Sequence, residues 1–268
     1  MDPTLFTYDQ TTPPEIRLVG KRETDGIQER LFVYTTPNNI RRTATIIRPI
    51  GHASYPAILY VHWLAESPDA NRTQFEAEAT HMAKLGAITM LVETMWSDRD
   101  WFIKRTHADD YTNSIQQTVE LRQAMDILLA EPGVDPSRFA FVGHDFGAMY
   151  GSLVGAVDPR PKYYVLMAAT PRYPDWYLYY PRLEGQPRED FIASMSPLDP
   201  ITAIPHLSPA PILFQFANHD EHVPLERAAE FYAAAQDPKE ARYYEAGHEL
   251  NEQAKQDRIA WLSDRLAL

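Results

Sequence analysis

The sequence predicts an α/β fold in which a mostly parallel central sheet is flanked by helices on both faces. Residues 57–61 and 139–142 are continuous apolar runs, which are typical of parallel strands covered on both sides. Segments with helical spacing of apolar residues separate such runs, and strands that alternate with helices form parallel sheets. The ligands of such sheets bind at the carboxyl ends of the strands.

Each predicted element has its own local signal. Turn signals at Asp25-Gly26 and Pro37-Asn38 separate three strands near the start, which should form an antiparallel edge of the sheet. The helical segments end at breakers such as Gly86 and Pro132-Gly133. We predict strands at 15–20, 30–35, 43–49, 57–61, 87–92, 139–142, 163–167, 212–216 and 241–245, and helices at 71–86, 113–130, 225–235 and 250–266.

Composition limits the kinds of partner that this chain can have. The 268 residues, 44% of them hydrophobic, can form a full core, so we predict one domain over residues 1–268. A net charge of −12 at pH 7 argues against nucleic acid and anionic membranes as partners. The sequence has no Cys and no apolar run of the ~18 residues that a membrane span needs. We expect a cytoplasmic monomer or homodimer that acts on a small molecule.

Residues 171–209 interrupt the alternation of strands and helices. This segment is rich in proline and in aromatic residues and contains a single glycine, Gly185. Because it lies between two predicted sheet strands, we predict a small lid insertion over the carboxyl edge of the sheet. An ordinary surface excursion whose aromatic residues cover the core is the alternative.

The stretch Gly143-His144-Asp145-Phe146-Gly147 follows a predicted strand and precedes a helical pattern. Glycines two residues on either side of Asp145 relieve the crowding of a tight strand-to-helix turn. Such a turn places the residue at its tip in a strained position above a helix N-terminus. We therefore predict that Asp145 is presented as a reactive side chain.

Two later residues follow predicted strands in the same way. Asp220 lies in the segment 217–224, after the strand predicted at 212–216, and His248 follows the strand predicted at 241–245. Since the carboxyl ends of parallel strands meet at one edge of a sheet, both side chains should approach Asp145. A nucleophile, an acid and a histidine in this chain order can form a catalytic triad.

With these motifs the chain resembles the α/β-hydrolases from about residue 56 to the C-terminus. Its layout is similar to the dienelactone hydrolase and prolyl-oligopeptidase-like branch in three places, which are Val134-Asp135-Pro136-Ser137-Arg138, Asp220 to Pro224, and Ala246-Gly247-His248. Its turn Gly143-His144-Asp145 instead resembles haloalkane dehalogenases, fluoroacetate dehalogenases and soluble epoxide hydrolases, which use an Asp nucleophile. The resemblance implies the α/β-hydrolase fold with Asp145, Asp220 and His248 as catalytic residues, and an oxyanion hole from the N–H groups of Phe146 and of Trp63 or Leu64.

An Asp at the nucleophile position favours one kind of chemistry. Carboxylate attack on an ester would give a mixed anhydride, which is uphill, whereas attack on a saturated carbon gives an ordinary alkyl ester. We therefore predict a hydrolase that opens an epoxide or a carbon–halogen bond through an alkyl-Asp145 ester. Water activated by His248 would then hydrolyse the ester, with Asp220 orienting the imidazole. An esterase or lactonase that uses Asp145 as a base, and a non-catalytic small-molecule-binding protein, are the alternatives.

Aromatic and histidine side chains near the predicted site are candidates for the substrate pocket, although simple packing is the alternative for each. A lid tyrosine could protonate an epoxide oxygen, and the Trp63 indole could hold a departing halide. The Phe146 side chain cannot donate a hydrogen bond to a halide and the segment 171–209 is rich in tyrosine, which together slightly favour an epoxide. No metal-ligand motif, phosphate loop or dinucleotide fingerprint occurs, so we expect neither a metal nor an organic cofactor. The predicted pocket residues are His62, Trp63, Trp96, Trp101, His144, Tyr173, Trp176, Tyr177 and Tyr180.

Overall fold

A nine-stranded sheet runs through the computed structural model, which describes residues 2–51, 53–64, 71–98 and 100–268. The spatial order of the strands is β1-β2-β3-β5-β4-β6-β7-β8-β9. The strands are β1 (Ile16–Thr24), β2 (Ile27–Thr35), β3 (Arg41–Pro49), β4 (Tyr55–Val61), β5 (Ile88–Val92), β6 (Val134–His144), β7 (Tyr163–Met167), β8 (Ile212–Ala217) and β9 (Lys239–Tyr244).

The strand directions agree with the prediction from sequence. Strand β2 is antiparallel to its neighbours β1 and β3, and β3 is antiparallel to β5. From β5 through β4, β6, β7, β8 and β9 every neighbouring pair is parallel. The predicted α/β fold with a mostly parallel sheet and an antiparallel edge is therefore confirmed.

Helices cover both faces of this sheet. They are α1 (Glu76–Leu85), α2 (Trp101–Lys104), α3 (His107–Leu129), α4 (Phe146–Val157), α5 (Pro174–Tyr177), α6 (Gly185–Met195), α7 (Pro200–Ala203), α8 (Leu225–Ala234) and α9 (Glu252–Leu266). One apolar core contains residues of α3, α4 and α8, and a second on the opposite face contains residues of α1 and α9. Side chains of β4 alternate between them, with Leu59 in the first core and Tyr60 in the second. This alternation explains why the central strands are continuous apolar runs.

Some boundaries differ from the prediction. Helix α3 begins at His107 and not near residue 113, because its first turns are polar and carry no apolar spacing to reveal them. Asp109 and Asp110 in its first turn instead favour a helix start through the helix dipole. Between the strand predicted at 87–92 and the helix predicted at 113–130, where no element is predicted, the structure also has α2 and a 3-10 turn at Met95–Ser97. Residues 171–209 hold α5, α6 and α7 between β7 and β8.

Candidate active site

Asp145 lies at the turn between β6 and α4 with φ of 53° and ψ of −116°. A positive φ is uncommon for a residue other than glycine, and such strain costs about 1–3 kcal/mol. The flanking glycines permit the turn. A Cβ on Gly147 would lie 2.1 Å from the carbonyl oxygen of Val61, and one on Gly143 would lie 2.4 Å from the carbonyl oxygen of Gly147. The local sequence thus holds the Asp145 side chain at the carboxyl edge of the parallel strands.

The structure brings the three predicted catalytic side chains together. Nδ1 of His248 lies 2.8 Å from Oδ2 of Asp220, and Nε2 of His248 lies 3.9 Å from Oδ1 of Asp145. The other oxygen of Asp220 accepts the backbone N–H groups of His222 at 2.8 Å and Val223 at 2.9 Å. Asp220 is therefore fixed by its own loop and in turn orients the imidazole.

The two oxygens of Asp145 have different surroundings. Oδ2 accepts the backbone N–H of Leu64 at 3.2 Å, whereas Oδ1 has no hydrogen-bond partner among the described residues. The N–H of Phe146 has no acceptor within its helix because Phe146 is the first residue of α4. The N–H of Trp63 is not part of this arrangement, since it donates to Oε1 of Gln74 at 2.9 Å. Of the two alternative oxyanion donors predicted from sequence, Leu64 is the one that contacts Asp145.

His248 lies between the side chains of Asp145 and Asp220 in this buried cluster. The Asp145 side chain is fully buried and the His248 side chain is 11% exposed. Burial opposes the charged form of His248, but Asp145 and Asp220 outweigh it and raise the pKa of His248 to about 10. Burial likewise opposes the charge of Asp220, yet the bonds from His248, Val223 and His222 lower its pKa. The two carboxylates therefore favour the protonated form of His248 at neutral pH.

Two tryptophans flank the imidazole. The Trp63 ring stacks on His248 at 5.9 Å between centroids, and the Trp176 ring meets His248 edge-on at 5.8 Å. Trp176 belongs to α5 in the segment 171–209 and also packs on Phe146 at 5.8 Å, so this segment covers the turn. Both indole N–H groups are buried and have no acceptor within the described parts of the chain. Two unused hydrogen-bond donors thus lie on residues that contact the His248 imidazole.

Other predicted pocket residues form a wall around Phe146. Trp96 and Trp101 pack on its ring at 5.5 Å and 5.7 Å, and Tyr177 packs on it at 5.8 Å. Tyr173 stacks on Tyr177 at 5.5 Å and is fully buried. The Tyr177 hydroxyl is bonded to the hydroxyl of Tyr150 at 2.8 Å. Among the described ring contacts of His248, none involves a tyrosine.

The predicted pocket role is corrected for three residues, because Tyr180 lies at the surface while His62 and His144 are held by internal hydrogen bonds. Tyr180 is 51% exposed, because the chain returns to the surface after α5. His62 is buried, and its ring nitrogens lie 2.6 Å from the Trp63 carbonyl oxygen and 2.8 Å from Oγ of Ser97. Burial lowers the pKa of His62 to about 4, so it is a neutral structural residue. His144 is also buried, with both ring nitrogens hydrogen-bonded inside the protein.

Sequence reasoning missed two residues that support the site. Gln74 bonds to both Trp63 and His144, which are 11 and 70 positions away, so no local motif reveals it. Arg105 forms a buried ion pair with Asp110 at 2.5 Å and donates to the carbonyl oxygens of Tyr177 and Tyr180. The sequence indicates Arg105 only as a basic residue that lies close to aromatic residues. Arg105 anchors the end of α5 and thereby the position of Trp176.

The strand order, the strained turn and the chain order of Asp145, Asp220 and His248 define an α/β-hydrolase fold. Neither a protein-family model nor a curated protein matches the sequence. Solved structures do match. The chain is similar to an acetyl xylan esterase from Paenibacillus sp. R4, with a TM-score of 0.79, 17% identity and coverage of 94% of this chain and 88% of the other.

Two further solved structures show the same similarity. Acetyl xylan esterase 1 from Thermoanaerobacterium sp. JW/SL YS485 has a TM-score of 0.76 and 14% identity, with coverage of 98% of this chain and 91% of the other. A cold-adapted esterase from an Arctic intertidal metagenomic library has a TM-score of 0.65 and 17% identity, with coverage of 93% and 99%. These similarities establish the fold. No helix of the described residues is long and apolar enough to cross a bilayer.

Proposed function

We propose that this protein is a hydrolase in which the Asp145 carboxylate attacks a saturated carbon that bears a halogen or an epoxide oxygen. The observation that carries the proposal is the unequal surroundings of the two carboxylate oxygens. The Leu64 N–H holds Oδ2, while Oδ1 is unpaired among the described residues and lies 3.9 Å from Nε2 of His248. One oxygen is thus oriented as an oxyanion and the other is available for attack.

The first step forms a bond between Oδ1 and the substrate carbon and breaks the bond from that carbon to the leaving atom. The leaving atom departs with the bonding electrons as a halide or an alkoxide. The indole N–H groups of Trp63 and Trp176 are the buried donors available to it. Hydrogen bonds to a developing negative charge in a dry site stabilise the transition state more than they would in water.

The second step hydrolyses the alkyl ester. Esterification removes the negative charge of Asp145, which is one of the causes of the raised pKa of His248. The pKa of His248 then falls, the imidazolium releases its proton, and the neutral ring can take a proton from water that attacks Cγ of Asp145. Charge that develops on Oδ2 is stabilised by the N–H groups of Leu64 and Phe146. His248 returns the proton to the departing alcohol, and the carboxylate is restored.

The surroundings of His248 favour a halide over an epoxide. In the part of the chain that the structure describes, a tyrosine that could protonate an epoxide oxygen is not placed beside His248. Tyr179 and Tyr180 are 49% and 51% exposed, and the Tyr177 hydroxyl is bonded to Tyr150. The buried Tyr173 hydroxyl is unpaired among the described residues, but its ring packs on Tyr150 and Tyr177. A halide needs no proton and accepts N–H bonds, which Trp63 and Trp176 can supply. This preference for a halide reverses the slight preference for an epoxide that the sequence indicates.

A second candidate is an esterase or lactonase in which Asp145 activates water without becoming alkylated. The solved esterases that share this fold support it. The unpaired Oδ1 of Asp145 is also an oxygen that could accept a proton from water. A direct attack by water would leave Asp145 chemically unchanged, and this difference separates the two candidates.

A single turnover in H₂¹⁸O with excess enzyme tests the proposal. The probes are 1,2-dibromoethane, styrene oxide and p-nitrophenyl acetate, each used alone. The alkyl-enzyme route places ¹⁸O in the Asp145 carboxylate, which peptide mass spectrometry detects, and the Asp145→Asn variant turned over in parallel should carry none there. Label found only in the product would overturn the proposal in favour of direct water attack. No turnover of any probe would favour a binding protein.

A further inference from the structure

A chain of three hydrogen bonds runs behind the catalytic residues. The backbone N–H of Trp63 donates to Oε1 of Gln74 at 2.9 Å, and Nε2 of Gln74 donates to Nδ1 of His144 at 2.6 Å. Nε2 of His144 donates to the carbonyl oxygen of His248 at 2.9 Å. This series of hydrogen bonds begins at Trp63, the residue before Leu64. It includes His144, the residue before Asp145, and ends on the backbone of His248.

The direction of this chain is fixed by its two ends. A backbone N–H can only donate, so it sets Gln74 with Oε1 towards Trp63 and its amide N–H towards His144. A carbonyl oxygen can only accept, so Nε2 of His144 must carry the hydrogen. His144 is thereby held as the neutral Nε2–H tautomer. Burial and the charge of His248 lower the pKa of His144 well below its ordinary value, which agrees with a neutral ring.

Two of the residues joined by these hydrogen bonds lie outside the regular helices and strands of the sheet core. His248 lies in the irregular stretch between β9 and α9, and Gln74 lies in a 3-10 turn at Arg72–Phe75. The His144 ring stacks on Trp63 at 4.9 Å and lies 5.4 Å from the His248 ring. Loss of these hydrogen bonds would remove the donor to the carbonyl oxygen of His248, while its ring would keep the bond to Asp220.

We infer that Gln74 and His144 are positioning residues that hold the Leu64 N–H and the His248 ring at fixed distances from Asp145. The inference rests on the proposed function for its consequence in catalysis. Neither residue touches the reacting atoms. Their loss should affect the hydrolysis of the alkyl ester, which needs the base and the oxyanion donor together, more than the first attack, which needs neither a neutral His248 nor its exact placement.

The test compares Gln74→Leu and Gln74→Glu with Gln123→Leu. Gln123 is a buried glutamine on α3 that donates to the carbonyl of Thr35 and lies outside the chain of bonds, so it is a matched control. The first readout is NMR of the wild-type and variant proteins without substrate. It records the low-field proton on Nδ1 of His248, which reports its bond to Asp220, and the ¹⁵N shifts of the His144 ring.

We expect Gln74→Leu to shift or broaden the low-field proton of His248 and to release His144 from a single tautomer. Gln74→Glu is nearly isosteric and offers an acceptor to Nδ1, so His144 should gain a second proton. Gln123→Leu should leave both signals unchanged. In single turnovers of 1,2-dibromoethane, Gln74→Leu should slow ester hydrolysis about tenfold or more and the first step much less.

Each outcome decides the inference. Unchanged His248 and His144 signals in folded Gln74→Leu would overturn it, and so would equal slowing of both steps. If Gln74→Leu does not fold, a single unchanged His144 tautomer in Gln74→Glu would overturn it instead. Changed NMR signals with no ¹⁸O in wild-type Asp145 would support the positioning role while refuting the proposed function, so the two failures are distinguishable.

Discussion

Nε2 of His248 lies 3.9 Å from Oδ1 of Asp145, a separation that is too long for a hydrogen bond and short enough for a strong ion pair. Both groups are largely removed from water. The imidazole therefore lies beside the buried Asp145 side chain without occupying the lone pair of Oδ1 that would attack a substrate. The same separation leaves space for the His248 ring to move once the Asp145 carboxylate is esterified and its charge is gone.

Replacement of His248 by Gln should trap the alkyl enzyme. The first step uses only the carboxylate, whereas ester hydrolysis needs a base, whose loss typically slows a reaction about 10²–10⁴-fold. We expect intact-mass spectrometry after exposure to 1,2-dibromoethane to show a covalent adduct, and peptide mapping to place it on Asp145. The same change at exposed His219, which contacts Glu245, should give no lasting adduct. An unmodified His248→Gln protein would contradict the order of steps.

The ion pair should also make stability depend on pH. The pKa of His248 is raised from 6.5 to about 10, so the folded state holds its proton more tightly than the unfolded state. The stabilisation is fully present below pH 6.5 and is lost as the pH rises through about 10. The free energy of unfolding of the wild type should therefore fall across this range.

Asp145→Asn removes one cause of that shift. Asp220 still binds the ring, so the pKa of His248 should fall without returning fully to its ordinary value. Urea titrations between pH 6.5 and 10 should give a shallower loss of stability for the variant, and an NMR titration should show His248 losing its proton at lower pH. Parallel stability curves for the two proteins would show that Asp145 does not set the charge of His248.

The sequence was sufficient to predict the sheet and the proximity of three predicted catalytic side chains for one physical reason. Asp145, Asp220 and His248 each follow a parallel strand, and the register of such strands brings their carboxyl ends to a common edge. The glycines beside Asp145 reveal the turn because their absent Cβ atoms are required by close backbone contacts. Strand period and backbone crowding are local properties, so both are visible in sequence.

Contacts between distant side chains were not predictable in this way. Gln74 meets His144 across 70 positions, and Arg105 meets the carbonyl of Tyr177 across 72. Tyr177 and Tyr180 are three positions apart in one aromatic stretch, yet one is fully buried and the other half exposed. Composition showed that this stretch could cover the site, but only the path of the backbone after α5 determines which rings face inward.

Gly147→Ala should damage the turn. The added Cβ would lie 2.1 Å from the carbonyl oxygen of Val61, and because that atom belongs to the backbone of β4, the strand or α4 must shift. Overpacking of this kind costs about 1–3 kcal/mol. We expect a lower urea midpoint and loss of turnover. Gly20→Ala, where nothing lies within 4 Å of the added Cβ, should leave the midpoint nearly unchanged. Equal stability of the two variants would contradict the tight approach of α4 to β4.

Trp63→Phe and Trp176→Phe test whether the indoles assist departure of the leaving group. Each change keeps an aromatic ring beside His248 and removes one N–H. A hydrogen bond to a charged group contributes about 1.5–3 kcal/mol, which corresponds to roughly 10–100-fold in rate. Formation of the alkyl enzyme from 1,2-dibromoethane should slow by this factor in each variant, while hydrolysis of the ester already formed should change little.

Trp261→Phe is the matched control for these two variants. Its indole N–H is also buried without an acceptor among the described residues, but its ring packs on Tyr163 and not on the catalytic histidine. Rapid-quench measurement of the adduct on Asp145 should therefore show wild-type kinetics for Trp261→Phe. If Trp63→Phe and Trp176→Phe form the adduct as fast as Trp261→Phe, the indoles only pack against the imidazole, and the preference for a halide loses its support. Selective slowing of the first step would show that they bind the departing atom.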